Sequence, residues 1–335
     1  MRPAWLARQP GLGLAGVALV VPVGLFLGAA WGGPERSLLV LGPMSTFGLP
    51  VIAMIAFWWE DWPGTLARPP LTGLVDTVLV AVAGVALTIA GQAIVEHVDL
   101  RGVFDPGAGP AHAATFPGTM PLAGGVFVTM LQITLVSEGA PLRRLNRFAG
   151  GVVALAVSWG IAVPLYELLV AGDGPVTGGR FGGVLVCIGV LQVAFYVVLA
   201  GRPFSLIRSR AVRLGCANVT VLAGGVLVYL VLTRAAHLEA ATISAVAGSA
   251  VTAGLLVGML FEGWLDARAA LTGVAVATAL LYGGLLAFSH AIDWTQAEPE
   301  AWVAYAGLNA IGAGVILHVA IGHRWPFAAQ PIAAR

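Results

Sequence analysis

The chain has 335 residues, 59% of them hydrophobic and only 10% charged, with a formal net charge of +1 and a mean hydropathy of +0.91. A soluble domain carries roughly 25% charged residues, so this composition excludes a water-soluble globule. The near-neutral balance also excludes nucleic acid or a strongly acidic macromolecule as partner.

Crossing the hydrocarbon takes about 20 mostly apolar residues, and only helices or closed barrels satisfy their backbone groups there. The apolar runs are continuous rather than alternating, which selects helices. In chain order they predict spans at 11–31, 38–59, 72–95, 121–137, 148–171, 182–200, 215–233, 243–261, 271–290 and 301–322. The first follows Arg2 and Arg8 and imitates a signal peptide, but at about 20 residues it exceeds an h-region of roughly 7–15. It reads as an uncleaved helix. The fourth is the shortest and is expected to open at Pro121. The expected fold class is therefore all-α integral membrane, about ten transmembrane helices in a single polytopic domain over 1–335.

One turn recurs between the runs. Trp58-Trp59-Glu60-Asp61-Trp62-Pro63 leads through Arg68 to Leu71-Thr72-Gly73, and Glu262-Gly263-Trp264-Leu265-Asp266 leads through Arg268 to Leu271-Thr272-Gly273. Glu138-Gly139-Ala140-Pro141, Gly201-Arg202-Pro203 and Gly322-His323-Arg324-Trp325-Pro326 are related versions. Read locally, aromatics and Arg anchor a tight turn while Pro or Gly stops the helix. The recurrence also fits repeated two-helix units in parallel relation, since many transporters carry internal repeats.

All these turns fall on one side. That side holds thirteen arginines, among them Arg2, Arg8, Arg143, Arg144, Arg208 and Arg335, against Arg36, Arg101, Arg180 and Arg234 on the other. The positive-inside rule then predicts both termini, and the short tail 323–335, on the cytoplasmic side of a plasma (bacterial inner) membrane. Tryptophans gather at span ends, as interfacial indoles do, with Trp159 alone at mid-span. The longest extracytoplasmic loop, 96–120, is Gly- and Pro-rich and a poor helix. It reads either as a lid over an outward-facing cavity or as a plain surface loop.

Ionisable groups inside spans are functional candidates by default; here they are Asp76, Glu167 and His318. An unpaired carboxyl in low dielectric has its pKa raised, which suits a proton or cation carrier. Near span ends, all three can instead hydrate at the interface. Gln132, Gln192 and Asn309 combine depth with an amide, suited to solute contact or to bonds between helices. On the outer side, His97 neighbours Asp99, His237 neighbours Glu239 and His290 neighbours Asp293. Imidazole and carboxylate are zinc or copper ligands, and a metal site requires the three rings to converge. Gly24-x-x-x-Gly28 and Gly254-x-x-x-Gly258 predict close helix packing, and Cys187 and Cys216 read as buried small hydrophobes.

No phosphate-binding Gly loop, hydrolase elbow or H-E-x-x-H motif occurs, so no cofactor is expected. The partners expected are membrane lipid and a small-molecule solute. The leading reading is a multipass transporter or permease for that solute, coupled to protons. The alternatives are an integral-membrane enzyme acting on a lipid or quinone, metal-dependent at the outer face, and a non-catalytic membrane subunit.

Overall fold

The computed structural model describes residues 8–68, 71–107, 109, 112–113 and 115–327. Arg2, Trp5, Arg335 and the tail beyond 327 lie outside the described residues. Among the described residues every regular element is a helix. Eight helices are long and apolar enough to cross a membrane, and two shorter apolar ones, α1 (Gly11–Leu27) and the helix over Met120–Val136, accompany them.

The turns explain how these helices are paired. α2 (Pro34–Met54) widens into a π turn over Ile55–Trp59 and reverses at Glu60 and Asp61, both at positive φ. It continues through Pro63 and a 3-10 turn, Gly64–Leu66, into α3 (Leu71–Val95). A short α4 (Leu100–Phe104) lies in the following loop. The same succession then recurs. α5 (Met120–Leu131) ends in a π turn and reverses at Glu138 and Gly139 into α6 (Arg147–Leu169). α7 (Gly178–Val193) does so at Ala200 and Gly201 into α8 (Arg210–Arg234). α9 (Ala240–Leu255) does so at Gly263 into α10 (Ala267–Ser289). In a fifth copy, α11 (Pro299–Ala304), a π stretch over Tyr305–Gly312, α12 (Ala313–Ile316) and a π turn over Leu317–Ile321 reverse at His323 and Arg324. Its partner is α1, which packs along Tyr305–Ile316.

Backbone hydrogen bonds fix the reversals. The N–H of the second reversal residue donates six residues back, Asp61 to Ile55 (3.1 Å), Gly139 to Ile133 (2.8 Å), Gly201 to Phe195 (2.7 Å) and Arg324 to His318 (2.8 Å). These bonds satisfy carbonyls that a helix end otherwise leaves open.

The first helices of the five pairs stand side by side in a closed ring, α2 against α5, α5 against α7, α7 against α9, α9 against Pro299–Gly312, and that segment back against α2. Their partners form an outer layer. Each outer helix also touches the π turn of the preceding pair: α6 that of α2, α8 that of α5, α10 that of α7, α1 that of α9, and α3 the turn over Leu317–Ile321. The docking faces are stripes of mostly small residues at every fourth position, such as Thr72, Asp76, Val80, Gly84 and Thr88 on α3 and Ala217, Val221, Gly225 and Tyr229 on α8. Apolar association gains little in lipid, so helices meet where small residues let backbones approach. Large apolar side chains such as Leu74, Val82, Leu227 and Leu280 cover the other faces and are exposed, a surface for acyl chains rather than water.

Several helices begin earlier than their apolar runs. α6, α7 and α10 start at Arg147, Gly178 and Ala267, where Asn146, Thr177 and Asp266 accept backbone N–H bonds as N-caps. A capped turn extends past the apolar core, so hydropathy alone misses it. The two glycine pairs pack closely, Gly24 against Ile311, Gly254 against Val193 and Gly258 against Val197. Cys187 is buried, whereas Cys216 is exposed on α8 and corrects the expectation of two buried thiols.

A Cβ at Gly84 would meet the Met44 carbonyl at 2.6 Å, while one at Gly160 has nothing within 4 Å. Gly84→Ala should therefore separate α2 from α3 and destabilise by about 1–3 kcal/mol, the usual scale of overpacking. Gly160→Ala should not destabilise. Thermal unfolding of both variants in detergent checks the contrast.

Candidate functional site

Ring closure leaves a central cavity of about 760 Å³. Its lining follows the repeated frame. Leu49, Phe127, Gly189, Val251 and Gly312 stand at equal distances before Pro63, Pro141, Pro203, Leu265 and Pro326, and all five line the cavity. Leu38, Phe116, Gly178, Ala240 and Ala301 share another such layer nearer the far end, and Phe57, Leu135, Val197 and Met259 one nearer the arginine-rich turns. These layers are eleven and eight residues apart, about three and two helical turns, the spacing of one helix face. The wall is apolar nearly throughout.

The polar exceptions are few. Tyr166 is one; Ser244 directs its hydroxyl to Ala240 O and Tyr305 to Leu27 O, so neither of these two offers its proton to the cavity. Glu298, with Gln296, lines the far end beside Phe116, Pro117 and Gly118. At mid-height Asn309 Nδ2 donates to Thr46 Oγ1 at 2.6 Å, and Thr46 in turn donates to Gly42 O at 2.7 Å. Both residues line the cavity and both are buried, Asn309 being 6% exposed.

A second polar cluster lies at the turn between the α2/α3 pair and the fifth pair. Asp76 is 0% exposed, and its Oδ1 accepts the Gly64 N–H at 2.8 Å while Oδ2 is buried without a partner. A side chain at Gly64 would collide with Asp76 and the Thr72 carbonyl, so glycine there permits the contact. Asp61 faces the same region; its Oδ2 lies 3.4 Å from His323 Nε2 and its Oδ1 is buried without a partner. Burial, then the charges of Asp76 and Glu60, push the Asp61 carboxyl up to about 7. Asp61 occupies a left-handed position that is glycine in three other turns, Gly139, Gly201 and Gly263. Asp tolerates that conformation better than most side chains. The Asp-for-Gly difference among these copies is the signal in the sequence that marks Asp61.

The other expected residues serve different purposes. Gln192 Nε2 donates to Gln132 Oε1 (2.8 Å) and Val128 O (3.0 Å), and Gln132 Nε2 donates to Asn218 Oδ1 (2.9 Å). This amide chain ties α7 to the π turn of α5 and to α8, outside the cavity lining. Glu167 is exposed on α6. His318 is buried against the Phe327 ring rather than in the cavity wall. On the far side Asp99 caps α4 and pairs with His112 Nδ1 at 2.8 Å. The Gly102 N–H first, and then His112 and Ala113, hold its carboxyl below the ordinary range. His97 lies 3.5 Å from Glu96, and His237, Glu239, His290 and Asp293 are exposed. Among the described residues no three His, Cys, Asp or Glu side chains gather into a group that could hold a metal ion. The rings therefore do not converge as a metal site requires.

The described residues of the loop, 96–107, 109, 112–113 and 115–120, hold specific contacts that their composition does not announce. Gln92 accepts the Asp99 N–H and donates to Ala113 O, which folds the chain back so that Phe116–Gly118 reach the cavity's far end. No family model matches the chain, and no curated protein or solved structure matches it.

Because Asp61 binds its proton more tightly folded than unfolded, its contribution is complete below the unfolded value near 3.8 and is lost as pH rises through about 7. Asp61→Asn should remove that decline, on the order of 2–4 kcal/mol between those limits given about 1.4 kcal/mol per unit. Unfolding midpoints of the two proteins at pH 5 and pH 8 provide the check: the wild type should lose more stability over that interval.

Proposed function

We propose that the protein is a multipass permease of the plasma (bacterial inner) membrane that passes a small solute through the central cavity, coupled to protons at Asp61 and Asp76. The observation that carries this reading is the closed ring of five helices around a cavity lined in register from one end to the other. A non-catalytic subunit has no need of such a cavity. A metal enzyme at the outer face needs converging ligands, which the described histidines lack.

In this proposal ten helices span the membrane, counting α1 and Met120–Val136, and five repeated two-helix units make up the ring and its outer layer. The arginine-rich turns face the cytoplasm, in keeping with the positive-inside rule. The unpartnered oxygens of Asp61 and Asp76 suit a proton, because one bound proton removes a charge that is costly in low dielectric. The proton then alters the contact between α3 and the fifth turn, where Gly73 lies against Gly322.

Three measurements test the proposal. Protein in liposomes should speed solute entry, and Gly189→Leu, whose Cβ fits in ordinary contact 3.7 Å from Val251, should abolish it by filling the cavity. Asp76→Asn should flatten the pH dependence of uptake over pH 5–8, while an unchanged profile removes the proton site. Cysteines placed at Arg143 and Arg208 should resist membrane-impermeant labelling from outside intact cells, and ready labelling overturns the orientation.

A further inference from the structure

The five ring helices share a frame, so a departure from it in one helix calls for a cause. Each ends in a π turn near the arginine-rich end, but only the fifth carries a further π stretch at mid-height, Tyr305–Gly312. Such stretches interrupt regular hydrogen bonding and recur at functional sites. Asn309 lies inside it. The residues at the same position of the other four ring helices are Thr46, Gly124, Val186 and Gly248. Thr46, Gly124 and Val186 line the cavity with Asn309, whereas Gly248 packs against Ala304 and Leu308; this layer contains the one amide in the mid-height wall.

The hydrogen bonds settle which end of the amide faces the cavity. Thr46 has one hydroxyl proton, and the back-bond to Gly42 O at 2.7 Å takes it. Its oxygen is then only an acceptor toward Asn309, so the group 2.6 Å away is the Asn309 NH2. The second Asn309 proton points toward Gly42 O, 3.4 Å from Nδ2. Both donors of the amide are thus engaged by α2, which leaves Oδ1 as its free group. Among the described residues nothing donates to that oxygen.

We infer that Asn309 Oδ1, held in place by Thr46, is the recognition point of a binding subsite at mid-cavity for a small uncharged solute bearing an N–H or O–H donor. The inference deepens the permease reading and rests on it. An acceptor oxygen open to a cavity with an apolar wall favours a solute that replaces its bond to water over one that cannot, because leaving that bond unmade is costly. The surroundings exclude a full charge: Leu49, Phe127 and Val251 flank the layer, and no charged side chain lines the cavity at that height. An ion would give up its hydration there for one amide oxygen. Phe127 and Leu131 on one side and Leu308 on the other leave room for a compact molecule with an apolar or planar body.

The test uses the full chain in liposomes, with urea and glycerol as donor-bearing probes and potassium chloride as the ionic control, read by stopped-flow light scattering. Wild type should pass urea or glycerol and exclude the salt. Asn309→Leu keeps the volume and removes the acceptor; it should lower urea and glycerol entry about tenfold, the scale of one lost hydrogen bond. Thr46→Val frees the amide to turn and should give an intermediate loss. Urea or glycerol entry unchanged in Asn309→Leu, while Gly189→Leu blocks it, overturns the subsite and leaves the permease standing. Passage of the salt but not of the neutral probes overturns the solute class alone. Entry of every probe that is the same in wild type, Gly189→Leu and empty vesicles overturns the permease reading and the subsite together. Should Asn309→Leu not fold, as judged by gel filtration and thermal unfolding, Asn309→Asp replaces it: a charge at that point should abolish urea entry, and retained entry overturns the subsite.

Discussion

Every outer helix rests on the π turn of the pair before it, and the cycle of these contacts is completed where the fifth π turn receives α3 of the first pair. This contact has a geometric origin. A π turn is wider than an α turn, so it broadens the end of each ring helix and creates a shelf where a neighbouring helix can dock through small residues. Gly150 and Gly151 meet Trp58 and Trp59, Gly13 and Gly16 meet Phe261 and Leu260, and Gly73 meets Gly322. Ion pairs reinforce the same order. Glu60 binds Arg147, Glu138 binds Arg210 and Arg213, and Glu262 binds Arg324, each acid reaching the following pair. Exposed pairs of this kind add little energy; what they add is registration of one turn against the next. The chain enters this cycle out of phase, because α1 supplies the outer helix of the fifth pair before the first ring helix has been made.

Much of this was legible in the sequence, for physical reasons. Hydropathy reports where backbone must be self-satisfied, so helix existence and approximate extent could be read directly. The turn at Trp58–Gly73 and its counterparts could be read because reversal of a helix needs Gly, Pro or a residue tolerant of positive φ. Which helices form the ring could not. Ring and outer helices have similar mean hydropathy, since lipid and protein interior are equally apolar solvents. The distinction lies in small residues at every fourth position of the outer helices, a weak signal in a chain with 45 glycines.

Candidate residues divide along the same line. Depth could be inferred from position within a run, but the direction a side chain faces depends on helix rotation. Gln132, Gln192 and Asn309 looked alike on depth, yet the first two bond across α5, α7 and α8 while Asn309 reaches the cavity wall. Glu167 and His318 also looked alike, and one is exposed while the other is buried. Asp61 shows the converse. It sits outside any apolar run, so charge within a span does not mark it, although folding half-buries it where the charge of Asp76 acts on it.

In a pseudo-repeated frame, positions that break the repeat carry more information than positions that keep it. Asp61 stands where three other turns have glycine, Asp76 lies in a stripe where α6 has Ala154, and Asn309 lies in the one mid-height π stretch. All three belong to a single interface, between the first pair and the fifth. Thr46 and Asn309 join it at mid-cavity; Asp61 and His323 join it at the turns. The two contacts are separated by roughly 20 Å along α2, from about 1.5 Å per residue, too far for direct charge interaction to matter much against screening. In the proposed permease, a proton at the turns and a solute at Asn309 would influence one another only through the fit of that shared interface. Motion between the first and fifth pairs is then the economical way for the proposed permease to link the two proposed sites.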